Sequence, residues 1–484
     1  MNSHATQPSA AELPGAAAPA SRPDRRPPDT CSRRNFLAKL GALSVGTTAC
    51  AVGPARGADA TPGARQLVAD VLVIGGGTAG TIAAIQAGRL GVRTILVEAG
   101  SQLGGTTTTA GVDFPGLFHA WGKQIIAGIG WELVTQAVEL NSDQLPNFSI
   151  PTGAQHWKHQ VRISGALYAA LAEDACLKAG VQLRYYEAPS AVENTADGWK
   201  VRLVGKGTQV DVLARQLVDC TGNAAVIGLL GLARQRDAVT QPGTLIYRLG
   251  GYHLDGIDAA TLSKLELQAR EAVQQGRLLA TDYNGSLRGF LRAGGENAMH
   301  VPGADSSTSE THAQTNIRGR QALLRMLRFL KPQPDFENLR IERLQSETGV
   351  RETYRIVGET TVTLADYVEG RKFPDAVAHS FYPIDLHEER GVRPKHLTQD
   401  VVPTLPLGAL IPKGSRNLLV AGRCLSSDRL ANSALRVQAS CMAMGQAAGV
   451  TAALAARAGV SPQQVPLGEI RKTLQAHGAI VPAA

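Results

Sequence analysis

Apolar residues run almost unbroken over residues 69–74, and a cluster of glycines follows at once. A run of that length closed by a turn signal predicts a strand buried on both faces, as in a parallel sheet. Over residues 81–90 the spacing becomes helical, with Ile82 and Ile85 apolar, Gln86 and Arg89 polar, and Gly91 as the stop. Residues 92–97 read as a second strand that ends at Glu98. Farther on, a helix over Gly165–Lys178 precedes a strand over residues 180–186. Short apolar segments at 190–192, 199–204 and 210–214, divided by Asp197-Gly198 and Lys206-Gly207, predict a small β meander. Residues 216–222 and 417–423 read as strands running into glycine turns, and residues 433–458 as a long helix of small apolar residues. Between them lie expected helices at 259–276 and 317–330 and a polar, Gly-rich stretch at 294–314. Strands alternating with helices place the chain in the α/β class.

The chain has 484 residues, 44% hydrophobic and 19% charged, a globular composition with enough length for two domains. Its formal charge is +8, and seven basic against four acidic side chains fall within residues 1–60. The remaining basic residues are scattered, which gives no footprint for nucleic acid and fits attraction of an anionic substrate. Six cysteines occur without C-x-x-C spacing, so no metal or cluster site is expected, and those beyond the leader read as small buried hydrophobes.

Residues 1–31 lack any apolar period. Ser32-Arg33-Arg34-Asn35-Phe36-Leu37-Ala38-Lys39 resembles the twin-arginine export consensus. An apolar run at 40–52, too short to span a bilayer, and the cleavage signal Ala58-Asp59-Ala60 follow it. Residues 1–60 are therefore expected to be an export signal with a leader, which implies the twin-arginine translocase as a partner and a periplasmic destination. That route carries folded proteins, so a cofactor made in the cytoplasm would be loaded before export.

Gly75-Gly76-Gly77-Thr78-Ala79-Gly80 fits G-x-G-x-x-G directly after the first strand. Gly75 suits a tight turn, Gly77 a close backbone approach to a pyrophosphate, and Gly80 close contact of helix and strand. Thr78 and Ala79 open the helix whose N-terminus faces the phosphates. Glu98 stands where a carboxylate accepts hydrogen bonds from ribose hydroxyls. After Glu98 the chain continues Ala99-Gly100-Ser101-Gln102-Leu103-Gly104-Gly105-Thr106. Gly104, Gly105 and Thr106 resemble the flavoprotein continuation and point to FAD rather than NAD. No second dinucleotide fingerprint is visible.

Asp219-Cys220-Thr221-Gly222 resembles the strand-and-turn of two-dinucleotide-type flavoproteins, although Asn223 stands where an Asp is usual. With residues 73–98, 349–359, 382–387, 410–424 and 433–449, these segments resemble a broad family of FAD-dependent oxidoreductases. That family is related to the flavoprotein subunit of heterodisulfide reductase and to proteins associated with xanthan lyase. The resemblance spans residues 68 to about 458. It implies a Rossmann-type FAD-binding domain at 66–234 and 401–460, with an inserted α+β substrate domain at 235–400 and a C-terminal tail at 461–484. It also implies that Val192, Thr221, Gly222, Gly422 and Arg423 join the cofactor-binding set, and that Arg436, in the first turn of the last helix, meets flavin or substrate. Some relatives carry a four-iron cluster, which the cysteine spacing here does not support.

Arg351, Glu352 and Arg355 crowd one segment, and Asp385 and His387 share one face of another if it is extended. One reading is a clamp in which an arginine binds a carboxylate or carbonyl of a small-molecule substrate and His387 moves a proton. The other is an ion-pair network holding the middle of the chain to the nucleotide-binding part. The expectation is an exported FAD enzyme that transfers a hydride between a small organic substrate and the flavin. The alternative is an electron-transfer subunit or scaffold serving a quinone or cytochrome.

Overall fold

Both strands and the helix read from residues 69–98 are present in the computed structural model. It describes residues 65–153, 155–388, 391–392 and 394–483. The export motif and cleavage signal lie outside them. Strand β1 (Arg65–Ile74) leads into helix α1 (Thr78–Arg89), and β2 (Thr94–Glu98) returns parallel to β1 with Ile74 opposite Val97. Helix α2 (Gly165–Lys178) precedes β3 (Gln182–Tyr185), which extends the parallel sheet beyond β2.

The meander follows as β4 (Glu187–Thr195), β5 (Gly198–Gly205) and β6 (Thr208–Asp219). The segments expected at 210–214 and 216–219 form one strand, because Arg215 turns its charge outward beside Asp70 and leaves the alternation intact. β6 has two functions. Its first half pairs with β5, and its second half pairs in parallel with β7 (Leu418–Val420), with Val420 opposite Asp219. Residues far apart in the chain thus reach one end of the sheet together, the end where α/β folds bind ligands.

The long helix expected over residues 433–458 is two helices. Asp428 caps α3 (Arg429–Leu435), accepting from Ala431 N at 2.8 Å, and extended backbone at Val437 (φ −64°, ψ 141°) separates it from α4 (Gln438–Ala458). Arg436 closes α3 rather than sitting in the first turn of the last helix. α4 is long and apolar enough to cross a membrane, yet its most apolar window is 94% buried. Its glycines let it lie against α1: a Cβ on Gly445 would stand 2.2 Å from Ala79 O, and one on Gly449 2.4 Å from Ala83 O.

The middle of the chain is divided between two cores. Residues 245–339 build their own cluster around Tyr247, Phe290, Met326 and Phe336. Residues 362–411 instead join the large cluster under α1 and α4, through Val362, Tyr367, Leu405 and Ile411. Helix Ser309–Leu330 starts earlier than the expected residue 317, because the Thr308 hydroxyl accepts from Thr311 N at 3.1 Å. Residues 461–484, expected as a tail, include helix α5 (Leu467–Ala476), which buries Ile470 and Leu474 in the large cluster.

Candidate functional site

Three glycines of the first turn do separate work. Gly75 has φ +98°, and a Cβ there would lie 2.5 Å from Cys220 O. A Cβ on Gly80 would lie 1.8 Å from Gly75 O, so helix and strand meet without room for a methyl. A Cβ on Gly77 would meet nothing within 4 Å, because that side of the backbone opens on a cavity of about 370 Å³. Glu98 closes the turn from the side: Oε2 accepts from Gly76 N at 2.7 Å and Oε1 from Gly100 N at 2.6 Å. Burial pushes the Glu98 carboxyl upward, and the Gly100 and Gly76 N–H groups oppose it.

The second glycine pair fastens onto the first turn. Gly104 N donates to Gly76 O at 2.9 Å, the Thr78 hydroxyl donates to Gly104 O at 3.2 Å, and a Cβ on Gly105 would stand 2.9 Å from Gly77 Cα. Of the expected cofactor residues, Gly75, Gly77, Thr78, Ala79, Glu98, Gly105, Thr106, Thr221, Gly222, Gly422, Arg423 and Arg436 line the cavity. Gly80 and Gly104 lie behind the wall. Val192 does not reach it, since it faces Val201 across the β4–β5 pair inside the sheet's own core.

Arg423 joins the distant pieces. Its guanidinium donates to Gly222 O at 2.8 Å, Asn223 Oδ1 at 2.9 Å, Ser306 Oγ at 3.2 Å and the Val350 carbonyl. Every acceptor is neutral, and burial lowers its pKa. Asn223 is central here, because its Oδ1 also accepts from Thr353 at 3.0 Å and its Nδ2 donates to Ser306 O at 2.7 Å. Ser306 and His312, from the stretch expected only as polar and Gly-rich, also line the cavity.

A second cavity of about 390 Å³ adjoins the first, and Thr106, Gly349, Val350, Arg423, Arg436 and Gln438 line both. Phe114, Trp157 and Tyr382 give it an aromatic wall, and Arg351, Asp385 and His387 give it charge and hydrogen bonds. Arg351 donates to the Pro242 carbonyl and to Asn297 Oδ1. His387 Nε2 lies 3.2 Å from Asp385 Oδ2, and its Nδ1 lies 3.1 Å from Nε2 of the buried His300. Arg436 reaches Asp385 O at 3.1 Å and Oδ2 at 3.4 Å. Burial pushes the Asp385 carboxyl up but is outweighed by the His387 hydrogen bond and the Arg436 and Arg351 charges, which hold it at about 2. Burial, helped by the Arg351 charge, holds the His387 imidazole at about 3.

Two residues read as catalytic candidates lie outside both cavities. Glu352 is buried, taking hydrogen bonds from Gln241 N (2.6 Å), Gln241 Nε2 (3.0 Å) and Arg429 Nε (3.0 Å). Gln241 in turn accepts from His387 N at 3.0 Å, so Glu352 acts on the site through Gln241. Arg355 pairs with Asp237 at 2.7 Å and donates to Ser427 O at 3.0 Å, which makes it a structural tie. Gln241 and His300, like Ser306 and His312, are among the site residues that the sequence does not single out.

The described cysteines, Cys176, Cys220, Cys424 and Cys441, are free and buried; Cys220 and Cys441 line the first cavity.

The model of the family described as FAD dependent oxidoreductase matches residues 70–474. A nicotine dehydrogenase from Pseudomonas putida is 35% identical over 115 residues, 20% of this chain and 24% of that protein. The chain therefore spans about a quarter of the curated relative it matches. Similar solved structures include a geranylgeranyl bacteriochlorophyll reductase-like protein from Thermoplasma acidophilum, 14% identical over 85% of this chain and 83% of that one, with a TM-score of 0.40. A p-nitrophenol 4-monooxygenase from Pseudomonas putida is 11% identical over 84% of each chain, with a TM-score of 0.35.

Proposed function

Because this chain belongs to the FAD-dependent oxidoreductase family, we propose that it moves a hydride between a small organic substrate and bound FAD after export from the cytoplasm. The observation that carries this reading is the common wall of the two cavities, which sets a glycine-lined site at the α1 N-terminus against a separate aromatic and cationic one.

The residues present fit the cofactor. The side of Gly77 that lacks a Cβ opens on the first cavity, beside the α1 N-terminus that suits phosphate. Each Glu98 oxygen accepts one backbone N–H and keeps a lone pair for a ribose hydroxyl. Gly75, Gly77, Thr78, Glu98, Gly105, Thr221 and Gly422 would hold FAD, which when bound supplies a two-electron centre able to accept or give a hydride.

The rest falls to the chain's own side chains. Arg423 and Arg436, on the common wall, favour negative charge developing between the cavities. Arg351, which lines the second cavity and not the first, orients the substrate. His387, whose two nitrogens are both engaged, is a positioning residue that holds a proton in the chain Asp385–His387–His300. Gln160 donates to the Tyr382 hydroxyl at 2.8 Å, and burial raises the pKa of that phenol, keeping it protonated against the cavity.

Export is supported by Arg33-Arg34, the apolar run and Ala58-Asp59-Ala60; the translocase is the partner and the periplasm the destination. The proposed finer kinship with the heterodisulfide reductase flavoprotein subunit and xanthan-lyase-associated proteins is supported by the resemblance of residues 73–98, 104–105, 349–359, 382–387, 410–424 and 433–449.

The test is anaerobic mixing of the oxidised holoprotein with a panel of small organic acids, alcohols and amines, followed at the flavin band. Rapid bleaching by one panel member supports hydride transfer from a substrate. Reduction only by one-electron donors and reoxidation by quinone or cytochrome would favour an electron-transfer subunit.

A further inference from the structure

We propose that the substrate of the second cavity is an organic acid with an aromatic-sized apolar body, its carboxylate held by Arg351. This rests on reading that cavity as the substrate site. Three guanidinium groups, on Arg351, Arg423 and Arg436, line it. Among the described residues Asp385 is the one carboxylate in the lining, and it is already engaged by His387 at 3.2 Å and Arg436 at 3.4 Å.

Arg351 differs from the other two arginines. It lines the second cavity and not the first, so it faces substrate rather than cofactor. Its acceptors, the Pro242 carbonyl and Asn297 Oδ1, are neutral and occupy one N–H on each terminal nitrogen. A guanidinium carries five N–H donors in a planar fork that matches a carboxylate. One carboxylate, shared between His387 and Arg436, stands against three guanidinium groups, and an anionic ligand offsets the cost of burying the surplus charge. Burial, then the neighbouring Arg436, holds the Arg351 guanidinium at about 9, with the Asp385 charge opposing them.

The remainder of the cavity selects the body of the ligand. Phe114, Trp157 and Tyr382 present rings, and Val112, Val392 and Val437 fill in with aliphatic surface. Arg162 stands over the Phe114 ring at 5.2 Å, its charge paired with Asp113 at 3.4 Å. A cationic amine would meet an excess of positive charge here. A neutral amide would lose the charge-assisted half of the interaction.

The experiment titrates benzoate, benzamide and benzylamine onto the holoprotein, with calorimetry reading binding and the flavin band reading proximity to the cofactor. The expected result is saturable benzoate binding, with benzamide about 10–100-fold weaker and benzylamine undetected. Arg351→Met should weaken benzoate by about 10–100-fold and leave benzamide nearly unchanged, while Arg351→Lys keeps part of the affinity. Equal binding of benzoate and benzamide overturns the proposal, as does a preference for benzylamine or no saturable benzoate binding. So does an unchanged benzoate affinity in an Arg351→Met protein that retains its flavin spectrum. If the substitution prevents folding, the three-probe series on the unsubstituted protein decides. Selective benzoate binding by calorimetry with an unmoved flavin band would support the acid assignment and contradict the reading of the cavity as the substrate site.

Discussion

His387 Nε2 lies 3.2 Å from Asp385 Oδ2, and since an ionised carboxylate only accepts, the ring proton belongs on Nε2. The other nitrogen, Nδ1, then accepts from His300 Nε2 at 3.1 Å, which fixes one tautomer for each ring. His387 lines the second cavity without a nitrogen free for a ligand.

Protonating this ring in place would cost the folded state. Burial first, then the Arg351 charge, lowers its pKa from 6.5 to about 3, with Asp385 opposing. Between those values the unfolded chain binds the proton and the folded one does not. Stability is therefore lost as pH falls through that window, by up to about 1.4 kcal/mol per pH unit from this group. His387→Gln should lose less stability than the unsubstituted protein between pH 7 and pH 4.5 (about neutral to mildly acidic) in chemical denaturation. Equal losses would show that the ring is not shielded from protonation.

The α1–α4 contact should be intolerant of side chains. Gly445→Ala puts a Cβ 2.2 Å from the Ala79 carbonyl oxygen, so backbone must move, at a cost of about 1–3 kcal/mol or more. Gly468→Ala, in helix α5 where a Cβ meets nothing within 4 Å, should be neutral or stabilising by up to about 1 kcal/mol. Thermal melts of the two variants check the contrast, and similar melting temperatures would refute it.

Glu98→Ala should weaken FAD binding by about 1.5–3 kcal/mol through loss of charged acceptors. The loss also frees Gly76 N and Gly100 N, which the carboxylate now holds. Reconstitution of apoprotein with FAD, read by flavin fluorescence quenching, gives the dissociation constant. An unchanged value would place the ribose elsewhere.

These cases show where the sequence is legible. Gly75, Gly77, Gly80 and Glu98 are readable because turn, helix start and strand end lie within a short stretch of chain, and each needs a particular residue type. The register of β7 against β6 brings Gly422 and Arg423 beside Thr221 and Gly222, a pairing that strand patterns suggested without specifying. Glu352 and Arg355 misled because a charge cluster looks alike whether it faces a cavity or a partner. Their partners, Gln241, Arg429 and Asp237, are remote in sequence. Val192 resembles a ligand-side valine, yet strand alternation turns it into the sheet's core. His300 sits between Met299 and Val301, an apolar flank that signalled burial but not its contact with His387. The break at Val437 left no proline or glycine to mark it.

Arg33→Lys combined with Arg34→Lys should retain the precursor in the cytoplasm. The pair is the feature that identifies the leader with the twin-arginine route. Fractionation with immunodetection measures it. Export that survives both substitutions, and that also persists without the translocase, would contradict the proposed address.

The most direct measurement is identification of the flavin released from the purified protein by denaturation, compared with that from Gly77→Val. Valine there would fill the side of the turn that opens on the first cavity. The account predicts FAD in near-equimolar amount from the unsubstituted protein and little or none from a folded Gly77→Val protein. FMN in its place, or full FAD retention by the variant, would contradict it.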